Sequence, residues 1–411
     1  MQKKVWSISA MTGVERCQVA IVGAGPVGTV IATLLAKAGY DVVVFEAGLD
    51  CAQDLRASTF HPSTLEMLDE IGITQLLLDR GLKAPVYHWR DRNSGDVIDF
   101  DLSEIADKTR YPFRIQCEQY HLSRGLAEGL EQYSNAQVRF GHRLLTLEQD
   151  DTGVDLCLET MTGISRMRCD YLIGADGANS VVRKWLGIEF DGFTYPERFL
   201  TLSTKLELAD YLPNLAYVNY VSNPEEWLVL LRVPSVWRVL VPTDASLGDD
   251  YLKSDEVKDG IFQRLLGTDL HVETGHRTLY RVHQRVAKSF GNGRVYLAGD
   301  AAHLNNPLGG FGMNSGVHDA FNLFEKLEPA LKSGKPNGSL ELYDRQRRTV
   351  THAFTQAQTI ENMAYIKGGS DEAHEKRRQA MLALKADDDK RRAYLLRQAM
   401  YESLDQAAAV N

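Results

Sequence analysis

Cysteine is scarce in this chain, and the few thiols it has are not arranged as a site. Only five cysteines occur among 411 residues, and no two of them form a C-x-x-C pair. An odd and scattered set of thiols indicates neither a disulfide framework nor a zinc site. We therefore expect a reduced, cytoplasmic protein without a structural metal.

The charge balance and the apolar pattern exclude two further classes of protein. The formal net charge is −9 and the pI is about 5.7, which argues against nucleic acid or an anionic membrane surface as a partner. No apolar run is long enough to span a bilayer, and residues 1–15 lack the apolar core of a secretory signal. A chain of this length can form two domains and an extension.

The first glycine-rich segment is typical of a turn that binds a dinucleotide. Residues 19–22 form an apolar run of the length of a buried parallel strand, and Gly23, Gly25 and Gly28 follow it. Gly23 permits the tight turn, Gly25 lets the main chain approach a pyrophosphate, and Gly28 lets the next helix pack closely. That helix, predicted from Pro26 to about Ala38, directs its free N–H groups at the phosphates.

A second predicted strand supplies the acid that completes this pattern. Residues 42–45 are apolar, and Glu46 follows them about 20 residues after the glycines. Its carboxylate is placed to accept hydrogen bonds from a ribose diol, and it disfavours a 2′-phosphate. The bound dinucleotide is therefore not expected to be NADP.

Two later segments are predicted to lie at the same edge of the sheet. Asp176 and Gly177 follow an apolar strand, and open α/β sheets bind ligands at the carboxyl ends of their strands. Gly299 and Asp300 end another strand, and Asp300 can accept hydrogen bonds from a polyol such as the ribityl chain of FAD. A flavin dinucleotide is long enough to contact both glycine-rich ends of the chain.

The segment that follows is suited to a planar ring. Gly309, Gly310 and Gly312 would let main-chain amides approach such a ring, and a helix is predicted from about Met313 to Leu327. Amides at the start of this helix would favour negative charge on the N1/O2 side of a reduced flavin.

Between these segments the pattern changes to short strands at regular spacing, which predicts an inserted antiparallel sheet. We expect an α/β protein in which a Rossmann-like FAD-binding domain (17–84, 106–189 and 286–350) accompanies a β-sheet substrate domain (85–105 and 190–285) and a helical segment (351–411). The substrate pocket is expected at the interface of the first two.

The three fingerprints together resemble those of class A flavoprotein monooxygenases, the para-hydroxybenzoate hydroxylase-like family. They are Gly23/Gly25/Gly28 with Glu46, Asp176-Gly177, and Gly299-Asp300; Leu55-Arg56 and Gln119 match the family as well. The resemblance covers residues 18 to about 350. It implies non-covalent FAD, transient NADH or NADPH, O₂, and hydroxylation of a small phenolic or heteroaromatic ring through a flavin C4a-hydroperoxide. The sequence has no second Rossmann fingerprint, which agrees with transient binding of the nicotinamide.

The resemblance also implies roles for individual residues. Glu46 would hold the adenosine ribose, Arg56 and Gln119 the phosphate and ribityl region, and Pro307 would place its carbonyl near the oxygen-activating edge. The residues expected to bind the cofactor are Gly23, Gly25, Pro26, Val27, Gly28, Glu46, Ala47, Arg56, Gln119, Asp176, Gly177, Gly299, Asp300, Pro307, Gly310, Phe311, Gly312, Met313 and Asn314. Phe311 departs from the family, whose members often have glutamine there, so ring position or pocket polarity is expected to differ.

The side chains that face the substrate are less well defined than those that hold the cofactor. Pro307, Tyr217, Tyr220, His283 and Arg232 are the candidates for the catalytic site, although a structural role is favoured for each of the last four. An acidic substrate would need a cation, for which Arg232, Arg238 and Arg281 are candidates.

The last 60 or so residues are helical in pattern and rich in charge of both signs, which is typical of a solvated helical face. Packing on the substrate domain, or a contact in a homodimer, is the alternative.

Three alternatives to a hydroxylase use the same scaffold or cofactor. A flavin-dependent halogenase would need a Trp-x-Trp-x-Ile-Pro segment, and residues 236–242 do not supply it. A reductase of isoprenoid chains would use reduced flavin without inserting oxygen. A non-catalytic flavin-binding redox module would bind FAD without substrate-stimulated NAD(P)H oxidation. The three fingerprints and the inserted sheet favour the hydroxylase.

Replacement of Asp300 tests the cofactor assignment directly. Asp300→Ala removes the carboxylate expected to bind the ribityl chain, so the purified variant should have lost its FAD, as measured by flavin absorbance per protein. A fully yellow variant would contradict the role given to Asp300.

Overall fold

The computed structural model describes residues 14–53, 57–334, 338–367 and 369–411. Its strands are β1 (Glu15–Val22), β2 (Val42–Glu46), β3 (Thr59–Phe60), β4 (Leu82–Ala84), β5 (Val86–Asp91), β6 (Val97–Asp101), β7 (Arg114–Gln116), β8 (Ala136–Phe140), β9 (Arg143–Asp150), β10 (Gly153–Thr160), β11 (Gly163–Gly174), β12 (Phe190–Thr204), β13 (Val218–Ser222), β14 (Leu228–Arg232), β15 (Trp237–Thr243), β16 (His276–Ala287), β17 (Gly291–Asn292), β18 (Val295–Leu297) and β19 (His303–Leu304).

The α-helices are α1 (Pro26–Lys37), α2 (Pro62–Glu70), α3 (Thr74–Arg80), α4 (Tyr120–Leu130), α5 (Val181–Trp185), α6 (Asp249–Leu252), α7 (Asp255–Leu266), α8 (Phe311–Ser333), α9 (Gly338–Val350), α10 (Ala357–Ile366), α11 (Asp371–Ala386), α12 (Asp388–Gln398) and α13 (Tyr401–Ala408). Among the described residues, no helix combines the length and apolar character that a membrane span requires.

The first sheet places the three fingerprints at one edge. Strands β8, β2, β1, β11 and β18 run parallel in that order, and β9, β10 and β17 add antiparallel partners. In register, Val22 pairs with both Phe45 and Gly174, and Gly174 pairs with Leu297. Because parallel strands end on the same side, the turns that follow β1, β11 and β18 lie next to one another.

The second sheet has eight strands in the order β19-β16-β12-β15-β14-β13-β5-β6. All of its pairs are antiparallel except β13 with β5, which run parallel because the β5–β6 hairpin comes from a distant part of the chain. The two sheets and the flanking helices confirm the α/β fold class with an inserted β-sheet.

Side chains alternate between the two faces of this second sheet, as the pleat requires. One face packs Leu200, Val221 and Trp237 against Phe262 of α7. The other face carries Tyr87, Trp89, Phe100 and Tyr220, and it is covered by the end of the chain. That second face is called the aromatic face below.

A short third sheet connects the two large ones. In it β7 lies between β3 and β4, with Phe60 opposite Ile115 and Ala84 opposite Arg114. This sheet brings the start of α2 beside the first strand of the aromatic face.

The expectation that the C-terminal segment forms a solvated helical face is wrong. Met381 of α11 and Leu395 of α12 are buried against the aromatic face, together with Tyr394 and Ala399. The segment therefore packs on the substrate sheet, which was the alternative considered from sequence. The spacing of its apolar residues indicates a buried helix face. The many charged residues around them favoured the wrong interpretation of an exposed segment.

The charged side chains of the C-terminal segment contact acidic residues at the edge of the substrate sheet. Arg391 forms an ion pair with Glu104 at 2.8 Å, Lys385 pairs with Asp99 at 3.3 Å, and His374 Nε2 lies 2.7 Å from the buried Asp91 Oδ2. The basic side chains thus meet the acidic edge formed by β5, β6 and the turn after them.

A buried carboxylate connects the helices to the last fingerprint. Asp319 of α8 is fully buried and accepts hydrogen bonds from Gly299 N at 2.9 Å, His303 Nε2 at 2.8 Å and Arg347 Nε at 2.6 Å. Burial alone would raise the pKa of Asp319, but the charges of His303 and Arg347 hold that pKa at about 2.

Removal of this charge should destabilise the protein strongly. Asp319→Asn leaves Arg347 buried without its counter-ion, so we expect a loss of about 3–5 kcal/mol in the free energy of unfolding, measured by urea denaturation. Glu189→Ala, which breaks an exposed pair with Lys288, should leave the midpoint unchanged.

The acid dependence provides a second measurement of the same group. Because the pKa of Asp319 is lowered from 3.8 to about 2, its contribution to stability is complete above pH 4 and is lost as the pH falls toward 2. Equal acid sensitivity in wild type and Asp319→Asn would contradict this assignment.

Candidate active site

The glycine turn after β1 leaves one side of its main chain open. A Cβ on Gly23, whose φ is +106°, would collide with the carbonyl oxygen of Ala175, and one on Gly28 would collide with the carbonyl oxygen of Gly23. A Cβ on Gly25 would meet nothing within 4 Å. Gly23 and Gly28 are therefore required by the fold, whereas Gly25 faces space that a ligand can enter. The first residue of α1 is Pro26, which has no N–H to leave unpaired.

Glu46 ends β2 with its carboxylate beside this turn. Its Oε2 accepts a hydrogen bond from Ala24 N at 2.9 Å, and its Oε1 accepts one from Gly48 N at 2.8 Å. The side chain is only partly buried and Ala47 beyond it is exposed. Each carboxylate oxygen has a second lone pair, so Glu46 can accept ribose hydroxyls while it holds the turn.

Asp176 holds the start of the next helix. Its Oδ2 accepts hydrogen bonds from Val181 N at 2.7 Å and Val182 N at 3.1 Å, and burial raises the pKa of its carboxyl group. Gly177 has a φ of +75° and open space at its Cβ position. The loop thus presents main chain, with little side chain, at the edge shared with the first turn.

The turn after β18 packs directly on the first fingerprint. A Cβ on Gly299 would lie 2.8 Å from Val27 Cγ2. Because Gly299 has no side chain, the turn after β18 can pack directly against Val27 of the first fingerprint. Asp300 follows in an exposed position on a short 3-10 turn, while its neighbours Gly299 and Ala301 are buried. Asp300 therefore faces outward from the point where two fingerprints meet.

The Pro307 to Asn314 segment forms a second turn that opens into α8. The Pro307 carbonyl accepts a hydrogen bond from Gly310 N at 3.0 Å, and Gly310 has a φ of +72°. Gly312 and Met313 lie in the first turn of the 23-residue helix α8, whose first amides have no partner within the helix. Asn314 donates to Thr59 O at 2.8 Å and accepts from His61 N at 3.0 Å, so it fixes β3 and the start of α2.

Phe311 has a different environment from the one expected. Its ring is fully buried in a cluster with Phe354 and Met400, and it stacks on His61 at a centroid distance of 5.3 Å. Phe311 therefore contributes to the packing around His61 through its ring. Phe354 belongs to a π-helical stretch, Thr351–Gln356, that joins α9 to α10.

Two further cofactor candidates have different outcomes. Gln119 precedes α4, and its main-chain N–H donates to Ala57 O at 3.2 Å, which places it beside the segment before β3. Arg56 lies outside the described residues.

These residues fit FAD. Along the edge of the sheet, the Glu46 carboxylate after β2 comes first, followed by Gly25 after β1, Gly177 after β11 and Asp300 after β18. Hydroxyl-accepting acids, phosphate-binding helix starts and close-approach glycines are the groups that a flavin dinucleotide needs.

Of the residues that were predicted to face the substrate, only some lie near one another in the structure. Tyr220 lies on the aromatic face, edge-on to Tyr87 at 6.2 Å. Arg232 points to the other face, where it pairs with Glu207 at 3.5 Å and lies over Trp237. Tyr217 precedes β13 and is exposed.

The remaining substrate-facing candidates are His283, Arg281 and Arg238. His283 follows Val282, which packs on the aromatic face, so His283 points away from it and interacts with Thr194 Oγ1 at 2.8 Å. Burial lowers the pKa of His283. Arg281 is exposed on that same outer side, whereas Arg238 is buried and alternates onto the aromatic face.

The structure contains an aromatic pocket, and Tyr220 is the one residue of its lining that the sequence indicated. The pocket is a cavity of about 20 Å³ between the aromatic face and the C-terminal helices, lined by Tyr87, Trp89, Phe100, Tyr220, Asn362, Tyr365, Ile366, Met381, Tyr394 and Gln398. That volume is room for about one water molecule, so a ring can enter only if lining side chains move. The C-terminal residues could not be assigned to it because they lie beyond the family fingerprints.

A chain of hydrogen bonds links this pocket to the Pro307 turn. Gln398 Nε2 donates to Asn362 Oδ1 at 3.1 Å, and Asn362 Nδ2 donates to Leu308 O at 3.3 Å. The pocket therefore adjoins the loop expected to lie along the isoalloxazine ring.

Comparison with known proteins defines the class. The family model described as FAD binding domain matches residues 16–358. The chain belongs to this family, and it is an FAD-dependent aromatic monooxygenase of class A that uses NAD(P)H and O₂.

Two relatives are similar to this chain over most of its length. The chain is 36% identical over 368 residues to para-nitrophenol 4-monooxygenase of Pseudomonas sp. (strain WBC-3), covering 88% of this chain and 90% of that protein. It is 34% identical over 333 residues to 6-hydroxy-3-succinoylpyridine 3-monooxygenase of Pseudomonas putida (strain DSM 28022 / S16), covering 80% and 84%.

A solved structure is similar over nearly the whole chain. The p-nitrophenol 4-monooxygenase of Pseudomonas putida DLL-E4 superposes with a TM-score of 0.89 at 30% identity, covering 95% of this chain and 99% of that one. The halogenase, reductase and redox-module alternatives find no support among these relatives.

The two kinds of glycine can be separated by experiment. Gly25→Val should fold, and unfold at nearly the temperature of the wild-type apoprotein, but lose FAD, because the Cβ position has no protein atom within 4 Å and faces ligand space. Gly28→Ala should lose the fold, because its Cβ collides with backbone. Thermal unfolding and flavin absorbance measure both; a Gly25→Val protein with full FAD content would contradict the assignment.

Proposed function

We propose that this chain hydroxylates a small phenol bound in the aromatic pocket. The observation that carries the proposal is the position of that pocket, which is lined by six tyrosine, tryptophan and phenylalanine rings from the substrate sheet and the C-terminal helices and is linked by hydrogen bonds to the Pro307 turn. Relatives that act on a nitrophenol and on a hydroxypyridine support a single hydroxylated ring as the substrate class.

The residues around the pocket would orient the ring and exclude water. FAD held by the cofactor-binding residues would supply the redox chemistry, namely acceptance of a hydride from NAD(P)H and activation of O₂ for insertion of one oxygen atom into an electron-rich ring. Stacking and edge contacts with Tyr87 and Tyr220 suit a flat substrate, and burial by α12 keeps solvent from the reacting atoms.

The cofactor roles remain part of the same proposal. Glu46 would bind the adenosine ribose, Gly25 and the start of α1 the pyrophosphate, and Asp300 the ribityl chain. The amides of Gly312 and Met313 would stabilise negative charge on the reduced ring. The Pro307 carbonyl would then border the edge at which oxygen reacts.

The decisive experiment measures product together with NAD(P)H oxidation. Purified holoenzyme is supplied with NADH or NADPH and, in turn, with phenols, nitrophenols and hydroxypyridines. We expect one class to accelerate NAD(P)H oxidation and to yield a hydroxylated product whose new oxygen comes from ¹⁸O₂. Stimulation by hydroxypyridines alone would replace the phenol with a heteroaromatic substrate, and no stimulation by any ring would overturn the proposal.

The C-terminal wall can be tested in the same assay. Tyr394→Ala removes one aromatic contact of about 0.5–1.5 kcal/mol, so KM for the accelerating phenol should rise about threefold to tenfold while FAD content stays unchanged. Tyr251→Ala, at an exposed tyrosine of α6, is the matched control. An unchanged KM in Tyr394→Ala would show that α12 does not border the substrate.

A further inference from the structure

Pro307 depends on its neighbours for its orientation, because a proline has no N–H of its own to donate. Under the proposed function its carbonyl borders the edge at which oxygen reacts, so the direction of that carbonyl matters. The Pro307 carbonyl and the Leu308 N–H belong to one planar trans peptide group and point in opposite directions. A contact that fixes the Leu308 N–H therefore also fixes the direction of the Pro307 carbonyl.

The side chain of Asn306 supplies that contact. Its Oδ1 accepts a hydrogen bond from Leu308 N at 3.0 Å, so the side chain reaches past Pro307 and closes an Asx turn around it. Asn306 is fully buried, and water does not compete for this bond. The Pro307 carbonyl consequently points away from the Asn306 side chain, where Gly310 N donates to it at 3.0 Å. A carbonyl oxygen has two lone pairs, so one remains for a ligand.

The other polar atoms of Asn306 are fixed as well. Its Nδ2 donates to Thr359 O at 2.9 Å and to Tyr195 Oη at 3.2 Å. Its main-chain N–H donates to Gln284 Oε1 at 3.0 Å, and its carbonyl accepts from Asn305 Nδ2 at 2.7 Å. Each hydrogen-bonding group of this residue thus has a partner, which selects one orientation for its side chain.

Gln284 connects Asn306 to a π-helical turn. Gln284 is buried, and its Nε2 donates to Thr359 Oγ1 at 2.9 Å and to Gln356 O at 3.3 Å. Gln356 is the last residue of the π-helical stretch, and its own Nε2 donates to Leu304 O at 2.8 Å. A π-helical turn within a helix is rare and frequently lies at a functional site. Here it holds the segment that leads to Pro307.

The composition of this network indicates that it specifies a direction. Apolar side chains at positions 284 and 306 would fill buried space without needing partners, whereas buried amides are costly unless each group is paired. A buried polar network that is completely paired makes one arrangement rigid and unique. The arrangement that this network makes unique is that of the peptide group between Pro307 and Leu308.

We propose that Asn306 is a positioning residue that orients the Pro307 carbonyl toward the bound flavin ring, and that Gln284 holds Asn306 in place. This inference rests on the proposed function, in which that carbonyl borders the oxygen-activating edge. Oxygen transfer needs a fixed geometry. When it succeeds, NAD(P)H, a proton, O₂ and the ring yield NAD(P)⁺, water and the hydroxylated ring. When the carbonyl is free to turn, more of the NAD(P)H, proton and O₂ yields NAD(P)⁺ and H₂O₂, and the ring is left unchanged.

Two substitutions that differ by a single oxygen atom isolate the contact. Asn306→Ala and Asn306→Ser both lose the Nδ2 contacts, but the serine hydroxyl can accept from Leu308 N in an ST turn. The matched control is Asn135→Ala, because Asn135 Nδ2 also donates to two carbonyls, those of Ala36 at 3.1 Å and Tyr40 at 2.7 Å. Asn135 precedes β8 and therefore lies at the edge of the first sheet opposite to the cofactor edge.

Gln284→Met tests the anchor separately. It removes the acceptor of Asn306 N but leaves the Asn306 side chain in the protein. This variant should change the same measurements in the same direction as Asn306→Ala, and it serves if Asn306→Ala fails to retain FAD.

Two measurements on the holoenzyme need no substrate. Hydrogen–deuterium exchange reports the protection of the Leu308 amide, and the visible circular dichroism of bound FAD reports the surroundings of the flavin ring. Loss of one hydrogen bond should make the Leu308 amide exchange about threefold to tenfold faster in Asn306→Ala than in the wild type. The FAD dichroism should change in the same variant. Asn306→Ser should stay closer to the wild type in both measurements, and Asn135→Ala should equal the wild type.

A third measurement reports the consequence for the reaction. The ring is the member of the phenol, nitrophenol and hydroxypyridine panel that accelerates NAD(P)H oxidation by the wild type most. The H₂O₂ formed per NAD(P)H oxidised should be highest in Asn306→Ala, lower in Asn306→Ser, and equal in Asn135→Ala and the wild type. A loss of stability alone would not produce this order, because both Asn306 variants lose the same Nδ2 contacts.

The outcomes separate this inference from the proposed function. A Leu308 amide that exchanges in the wild type as fast as an exposed amide overturns the inference without any variant, and so does wild-type exchange and dichroism in Asn306→Ala. If rings are hydroxylated and the H₂O₂ yield of Asn306→Ala equals that of the wild type despite faster exchange, the positioning role is wrong and the proposed function stands. If no ring stimulates the wild type, the proposed function falls, and exchange and dichroism still decide whether Asn306 orients the carbonyl toward the flavin.

Discussion

The buried charge of Asp319 is the interaction on which the arrangement of this molecule depends most. It connects the main chain of Gly299, at the end of β18, to His303 and to Arg347 of α9. The turn at Gly299 in turn contacts Val27 of the first fingerprint. One carboxylate therefore fixes the relation between segments almost 300 residues apart in the chain, and the shape of the cofactor edge follows from it.

A second constraint governs the substrate side. The aromatic face belongs to the sheet, but its cover is supplied by α10, α11 and α12, and the ion pairs of Arg391, Lys385 and His374 hold that cover on the acidic edge. Exposed pairs such as Lys385 with Asp99 contribute little individually, whereas His374 and Asp91 are both buried. Their effect here is to select one orientation for helices whose apolar residues are few.

Much of the structure of the cofactor region could be predicted from the local sequence, but the structure of the substrate region could not. Gly23, Gly25 and Gly28 could be interpreted because their spacing between two apolar runs is a local sequence pattern, and Asp176 and Gly299 follow strands whose apolar runs are continuous. Arg232 and His283 lie on strands whose two faces are both covered, and Tyr217 immediately precedes another such strand, so alternation alone cannot tell which face meets the ligand. The burial of Arg114 and His61 gave no signal in sequence, because these residues belong to, or directly follow, the very short strands of the third sheet. The tail was misjudged because the charges that dock it are the same residue types that solvate a free helix.

The division of the pocket between two distant parts of the chain has an evolutionary consequence. The residues proposed to hold FAD all precede the end of α9, whereas Tyr394 and Gln398 line the aromatic pocket from α12. Substitutions in α12 can change the shape offered to a ring without altering any residue that holds the cofactor. A lineage with this design can acquire new aromatic substrates by varying its last helices, while selection on the oxygen-activating machinery continues undisturbed.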